Sequence, residues 1–121
     1  MSESLSLGQK GELHAMKYLQ DAGYNIRHRN WTFGKKEIDI VAENNEFIVF
    51  VEVKTRTESL MEKIDEIVNS EKRRSIIYAA EAYIKKYNID KDARFDVIVL
   101  IAKGGSFETD HREDAFYPTL R

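Results

Sequence analysis

Between Glu37 and Arg56 two largely apolar runs, separated by Asn44-Asn45, are interrupted by charge at every second residue, Glu37 and Asp39 in the first and Glu52, Lys54 and Arg56 in the second. A period of two marks a β-strand with one buried face, and Asn, tolerant of positive φ, suits a two-residue hairpin turn. With Glu43 and Glu46 flanking the turn, Asp39 faces Phe50 and Glu37 faces Glu52. Paired residues point to one side of a sheet. Glu37, Asp39, Glu52 and Lys54 therefore share a face, and Ile38, Ile40, Phe47, Val49, Val51 and Val53 share the other.

Elsewhere the spacing is helical or continuous. Residues from about Ser6 to Ala22 read as a helix stopped by Gly23, with Met16 and Leu19 on its apolar stripe and a small-residue strip of Gly8, Gly11 and Ala15. Tyr24 to Phe33 reads as a strand leading into a loop, Thr57 to Glu66 as a polar loop, and Ile67-Val68 as a short strand. Ser70 is placed to cap a helix to about Tyr87, whose inner face carries Ile76, Ile77, Ala80, Tyr83, Ile84 and Tyr87. The run Ala93 to Ile101 is apolar enough for a strand covered on both faces. Gly104-Gly105 makes a turn, Phe107 and Ala115-Phe116 belong to a last strand, and His111 falls in an exposed loop. The order predicts an α/β protein.

Composition narrows the class. At 121 residues the chain is expected to form one domain, and 42% hydrophobic with 33% charged residues is ordinary for a soluble globular protein. No apolar run approaches the ~18 residues of a membrane span. Met1 to Leu5 lacks the basic and apolar regions of a secretory signal. The absence of cysteine excludes disulfides and thiolate metal sites and fits the cytoplasm. A net charge of −2 excludes a globally basic nucleic-acid binder and leaves a local basic patch.

The hairpin then carries the chemistry. Acids inside apolar strands cost free energy unless compensated, and Asp39 and Glu52, with the backbone carbonyl of Val53, offer hard oxygen ligands for Mg²⁺ or Mn²⁺. Lys54 projects from the same face, to orient or deprotonate a water or to hold a phosphate. Glu37 or Glu12 could bind a second ion or extend the water shell. The competing view is a cross-strand salt-bridge cluster of Glu37 and Glu52 with Lys54, Lys35 and Arg56. By spacing alone Glu12 is more readily a solvated helix residue. Arg27, His28, Arg29, Lys35 and Lys36, interleaved with Trp31 and Phe33, suit phosphate contact and base stacking, or else an edge strand protected by charge. Lys72, Arg73 and Arg74 sit in a first helical turn, where cations are disfavoured unless an anion is bound.

Asp39 followed by Glu52-Val53-Lys54 resembles the PD-(D/E)xK pattern of restriction-endonuclease-like nucleases. With Gly11-Glu12, Ala15, Tyr18-Leu19, Gly23-Tyr24, Arg29-Asn30, Glu37 to Val41, Phe50 to Arg56, Lys72, Ala80, Tyr83, Arg94 to Val97, His111 and Ala115-Phe116, the chain is similar over nearly its whole length to the YraN-like family of small bacterial predicted endonucleases, itself similar to archaeal Holliday-junction resolvases. One departure is Lys36, where that family usually has Gly. The resemblance implies a restriction-endonuclease-like core with a central mixed β-sheet flanked by helices. It makes Glu12, Asp39 and Glu52 metal ligands and Lys54 the catalytic lysine. The expected function is a Mg²⁺- or Mn²⁺-dependent endonuclease on DNA, branched or damaged DNA included. Arg29, Lys35, Lys36, Arg56, Lys72 and Arg73 are the candidate phosphate contacts. Junction cutting needs two active sites, hence a homodimer, although nothing in the sequence displays one. The alternative is a catalytically silent nucleic-acid- or protein-binding module on the same fold.

Overall fold

A computed structural model describes residues 4–57 and 63–118. Helix α1 (Leu7–Asp21) leads into strands β1 (Asn25–Phe33), β2 (Lys36–Glu43) and β3 (Phe47–Arg56). A short α2 (Ile64–Ile67) and a long α3 (Ser70–Lys86) precede β4 (Asp92–Lys103) and β5 (Ser106–Phe116). The strands form one five-stranded sheet in chain order. All neighbours are antiparallel except β3 and β4, whose parallel pairing requires the α3 crossover. The expected mixed sheet flanked by helices is what the chain forms, consistent with a restriction-endonuclease-like core.

Local chemistry sets the element ends. Ser6 and Gln9 close a capping box on α1, and Gly23, at φ 96°, ends it. Asn69, rather than Ser70, caps α3: its side chain accepts from the Lys72 N–H, so Ser70 becomes the first helical residue. Ile67 closes a short helix instead of starting a strand, because Ile67 and Val68 N–H groups bond back to Lys63 and Ile64 carbonyls. The polar-loop reading of 57–66 falls partly on residues 58–62, outside the described residues. His111 lies in β5 with its side chain almost fully buried, not in an exposed loop.

Two apolar layers sandwich the sheet. Ala15 and Leu19 of α1 pack on Ile40, Ala42, Val49, Val51, Val53, Ile98 and Leu100. Ile76, Ala79, Ala80 and Tyr83 of α3 pack on Val41, Ile48, Phe50, Phe95, Val97 and Val99. β4 thus contributes to both layers, as its apolar run foretells. Of the small-residue strip only Gly11 and Ala15 are buried, Gly8 being exposed. A Cβ on Gly11 would collide with Thr55 Oγ1 and approach Leu100 Cδ1 to 3.3 Å. Replacing Gly11 by Ala should therefore cost about 1–3 kcal/mol, as overpacking does, despite the gain in helix propensity. A urea midpoint equal to or above the wild type's would show that α1 can move off β3 freely.

Candidate active site

The β2–β3 hairpin closes differently from the two-residue expectation. Glu43 pairs with Ile48, leaving a four-residue turn, Asn44 to Phe47. Asn44 is the cause, because its Oδ1 accepts from both the Glu46 N–H (2.9 Å) and the Phe47 N–H (2.7 Å). The register moves by two residues relative to the expected pairing, so the paired residues from Ile40 to Glu43 and from Ile48 to Val51 keep their faces. Asp39 and Glu52 consequently meet across the strands. Glu37 does not face Glu52; it is exposed and pairs with Thr32 of β1.

The ladder between β2 and β3 stops at Ile40↔Val51. One step beyond, the Val53 N–H donates to Asp39 Oδ2 at 2.8 Å. A side chain thus takes a hydrogen bond that backbone would otherwise accept, and the strands separate there. On the other side of β2, Asn30 adopts φ 50° between the pairs Arg29↔Ile40 and Trp31↔Ile38. Asn tolerates that conformation better than most residues. Beyond this point Ile38 joins Trp31 and the α3 layer instead of sharing a face with Ile40, which corrects the simple alternation expected of β2.

Glu52 is 3% exposed, and its Oε1 has no hydrogen-bond partner. Its other oxygen, Oε2, lies 3.3 Å from Lys54 Nζ and 3.8 Å from Lys72 Nζ. Burial, and then the neighbouring Asp39 charge, push the Glu52 carboxyl up to about 7 against the opposing pull of the two lysines. Lys72 arrives from the first turn of α3, so its placement in the sequence reflects contact with this acid. Glu12 is raised by partial burial and then by Asp39, while a hydrogen bond with Asn30 and the Arg29 charge act the other way. It stands beside the acid pair. Among the described residues, no three His, Cys, Asp or Glu side chains converge closely enough to hold one ion.

The other cations divide. Lys35 is exposed at the β1–β2 tip, and Lys36 lies over the Tyr78 ring at 5.1 Å. Arg29 is exposed on β1 near Glu12, and Arg56 ends β3. Arg73 is drawn away from an interface role: its Nε donates to the Val68 carbonyl at 2.9 Å, it pairs with Asp65, and it covers Phe116.

A second charged cluster escaped the sequence reading. Asp96 is fully buried and accepts from Arg94 Nε (2.9 Å), Arg94 Nη2 (2.8 Å), His111 Nε2 (2.7 Å) and the Asp114 N–H (3.0 Å). Arg94 also donates to Tyr24, and His111 Nδ1 bonds Tyr18 of α1. Burial pushes the Asp96 carboxyl up, but its bonds from His111, Arg94 and Asp114 outweigh that and hold it below its ordinary value. The available signal was Asp96 itself, since an acid inside a doubly covered strand demands partners.

A mixed five-stranded sheet with helices on both faces, and two acids where β2 parts from β3, defines an α/β protein with an acidic site at a strand divergence. The chain belongs to the uncharacterised protein family UPF0102, whose profile matches residues 11–100 and so spans Glu12, Asp39, Glu52, Lys54 and Lys72. It is 46% identical over 120 residues to a UPF0102 protein of Bacteroides thetaiotaomicron and 43% identical over 120 residues to one of Phocaeicola vulgatus, each match covering 99% of both chains. A UPF0102 protein of Flavobacterium psychrophilum is 38% identical over 117 residues, covering 97% of this chain and 98% of its own.

The raised Glu52 carboxyl has a direct consequence for stability. Below its ordinary value of 4.5 the group is neutral in both folded and unfolded states. As pH rises from there to about 7 the unfolded chain loses a proton that the folded one keeps, so stability falls, and above about 7 the penalty is complete. Glu52→Gln should therefore stabilise the protein in chelator more at pH 8 than at pH 5, by on the order of 1–3 kcal/mol. Urea unfolding at both pH values reads this; an equal effect at each would mean the charge is not opposed by its surroundings.

Proposed function

We propose that this protein is a Mg²⁺- or Mn²⁺-dependent endonuclease that hydrolyses phosphodiester bonds in DNA. The observation that carries the reading is Glu52 Oε1, a buried acceptor with nothing to accept, beside a second carboxylate that repels it. Asp39, Glu52 and the Val53 carbonyl are the oxygen donors that suit a hard divalent cation, and Glu12 is near enough to hold water around it. Such an ion, when bound, supplies Lewis acidity that polarises the phosphate and acidifies water.

The remaining work falls to the chain's own side chains. Lys54 Nζ, at 3.3 Å from Glu52 Oε2, is positioned to orient the attacking water and to neutralise charge growing on the phosphate. Lys72 brings a second ammonium to the same carboxylate from α3. Asp39 is held by the Val53 N–H, which fixes the direction of its carboxylate beside Glu52. Arg29 on β1, Lys35 and Lys36 at the β1–β2 turn and Arg56 at the end of β3 are the candidates to hold flanking phosphates; Arg73, bonded to Val68 and Asp65, is not. DNA, branched DNA included, is the proposed substrate, and junction cleavage would require two copies of the chain. No helix among the described residues is long and apolar enough to cross a membrane.

Because ligands must be deprotonated, Mn²⁺ affinity should rise about tenfold per pH unit below the Glu52 value of about 7 and level off above it. Calorimetric titrations from pH 5.5 to 8.5 measure the slope, and a flat profile would remove Glu52 from the ligand set. Junction, flap, nicked and linear DNA incubated in Mn²⁺ should be cut by the wild type. Asp39→Ala and Lys54→Ala should each lower the rate by at least about 10²-fold. Cleavage that survives both substitutions would refute the assignment. Mn²⁺ binding without cleavage of any of the four would leave a silent binding module.

A further inference from the structure

We infer that the β1–β2 tip and the outer face of α3 form a stacking platform for the unpaired bases of single-stranded DNA, next to the acid pair. The inference rests on the nucleic-acid reading above and adds the kind of substrate it selects. Trp31 and Phe33 lie parallel, with an interplanar angle of 6° and ring centres 6.4 Å apart. Phe33 meets Tyr78 at 5.9 Å. Behind them Trp31 leans edge-on against buried Tyr83 at 5.0 Å, which fixes the inner end of the row. The outer end is open: Phe33 is 44% and Tyr78 57% exposed. A groove of about 320 Å³ runs between them, lined by Phe33, Tyr78, Glu81, Ala82 and Lys85.

Charge around the groove favours a polyanion. Lys36 lies over the Tyr78 ring at 5.1 Å, Lys35 occupies the exposed tip beside Gly34, and Lys85 lines the groove. Arg74 is exposed one turn before Tyr78 on α3. Glu81 is the opposing charge in the lining. Aromatic faces flanked by cations hold bases by stacking and phosphates by charge, without reading sequence. The platform is also within reach of the acids. Lys36 is three residues from Asp39 on β2, roughly 10 Å along a strand. Tyr78 is six residues from Lys72 on α3, roughly 9 Å along a helix. A strand splayed at a junction, flap or gap could therefore lay a base on Phe33 and Tyr78 while its backbone reaches Asp39 and Glu52.

Trp31 is the single tryptophan and so reports on the platform. The test is titration of the full chain with a 15-nucleotide oligodeoxythymidylate and with a 15-base-pair duplex, in chelator at fixed ionic strength. Trp31 fluorescence and anisotropy of the labelled DNA are the readouts. The wild type should bind the single strand more tightly than the duplex and show quenching. Tyr78→Ala and Phe33→Ala should weaken single-strand binding about tenfold or more, the scale of one lost stack. Tyr78→Trp should restore it. Both positions are exposed, and circular dichroism checks that the variants fold. Unchanged affinity in Tyr78→Ala, or equal affinity for single strand and duplex, would overturn the inference. So would sedimentation showing a wild-type dimer that Tyr78→Ala splits, since the patch would then be covered by a second copy. Binding is read without metal, so absence of Mn²⁺-dependent cleavage would sink the hydrolytic reading while this one is still decided by the oligonucleotide.

Discussion

The bond from the Val53 N–H to Asp39 Oδ2 governs this molecule's polar site. It ends the β2–β3 ladder, sets the direction of one carboxylate and brings it against another that is buried. A backbone donor inside a sheet must be satisfied, and here the satisfying group is an acid. The strands can part there without orphaning the Val53 amide. Glu52 feels the result as a repulsion that Lys54 and Lys72 only partly offset.

The sheet carries two buried acids, and their treatment differs. Asp96, on the α1 side, has all its bonds filled by Arg94, His111 and the Asp114 amide, tying β4 to β5, with Tyr18 and Tyr24 beyond. Glu52, on the α3 side, keeps an unfilled oxygen. A satisfied buried ion holds a fold in one arrangement, whereas an unsatisfied one is a cost that shifts its own titration, as the raised Glu52 carboxyl does. Register neighbours in β3 and β4, Val51↔Asp96 and Glu52↔Val97, place these opposite cases one residue apart across the sheet.

Much of this was legible in the chain. Alternation gave the hairpin strands, and helical spacing gave α1 and α3. The shared face of Asp39, Glu52 and Lys54 survived a wrong turn length because the error was two residues, an even number. What was lost depended on single side chains. Asn44 stretched the turn by bonding two amides, and Asn69 moved a cap by one position. Asn does such work through its own geometry, which periodicity does not register. His111 was misread because its partner Asp96 lies 15 residues earlier and pairs with it only once β5 folds back on β4.

The parallel pairing of β3 with β4 has a bearing on how the chain acquires its shape. Phe47 meets Asp92 and Arg56 meets Ile101, so each contact closes a loop of about 45 residues. Such distant contacts form late, and a chain emerging from the ribosome completes α1 through β3 well before β4 exists. Until then β3 is a bare edge, and Glu52 remains hydrated on it. The burial that raises the Glu52 carboxyl needs α3 and β4 docked against β3, so the penalty on the acid pair is coupled to that docking.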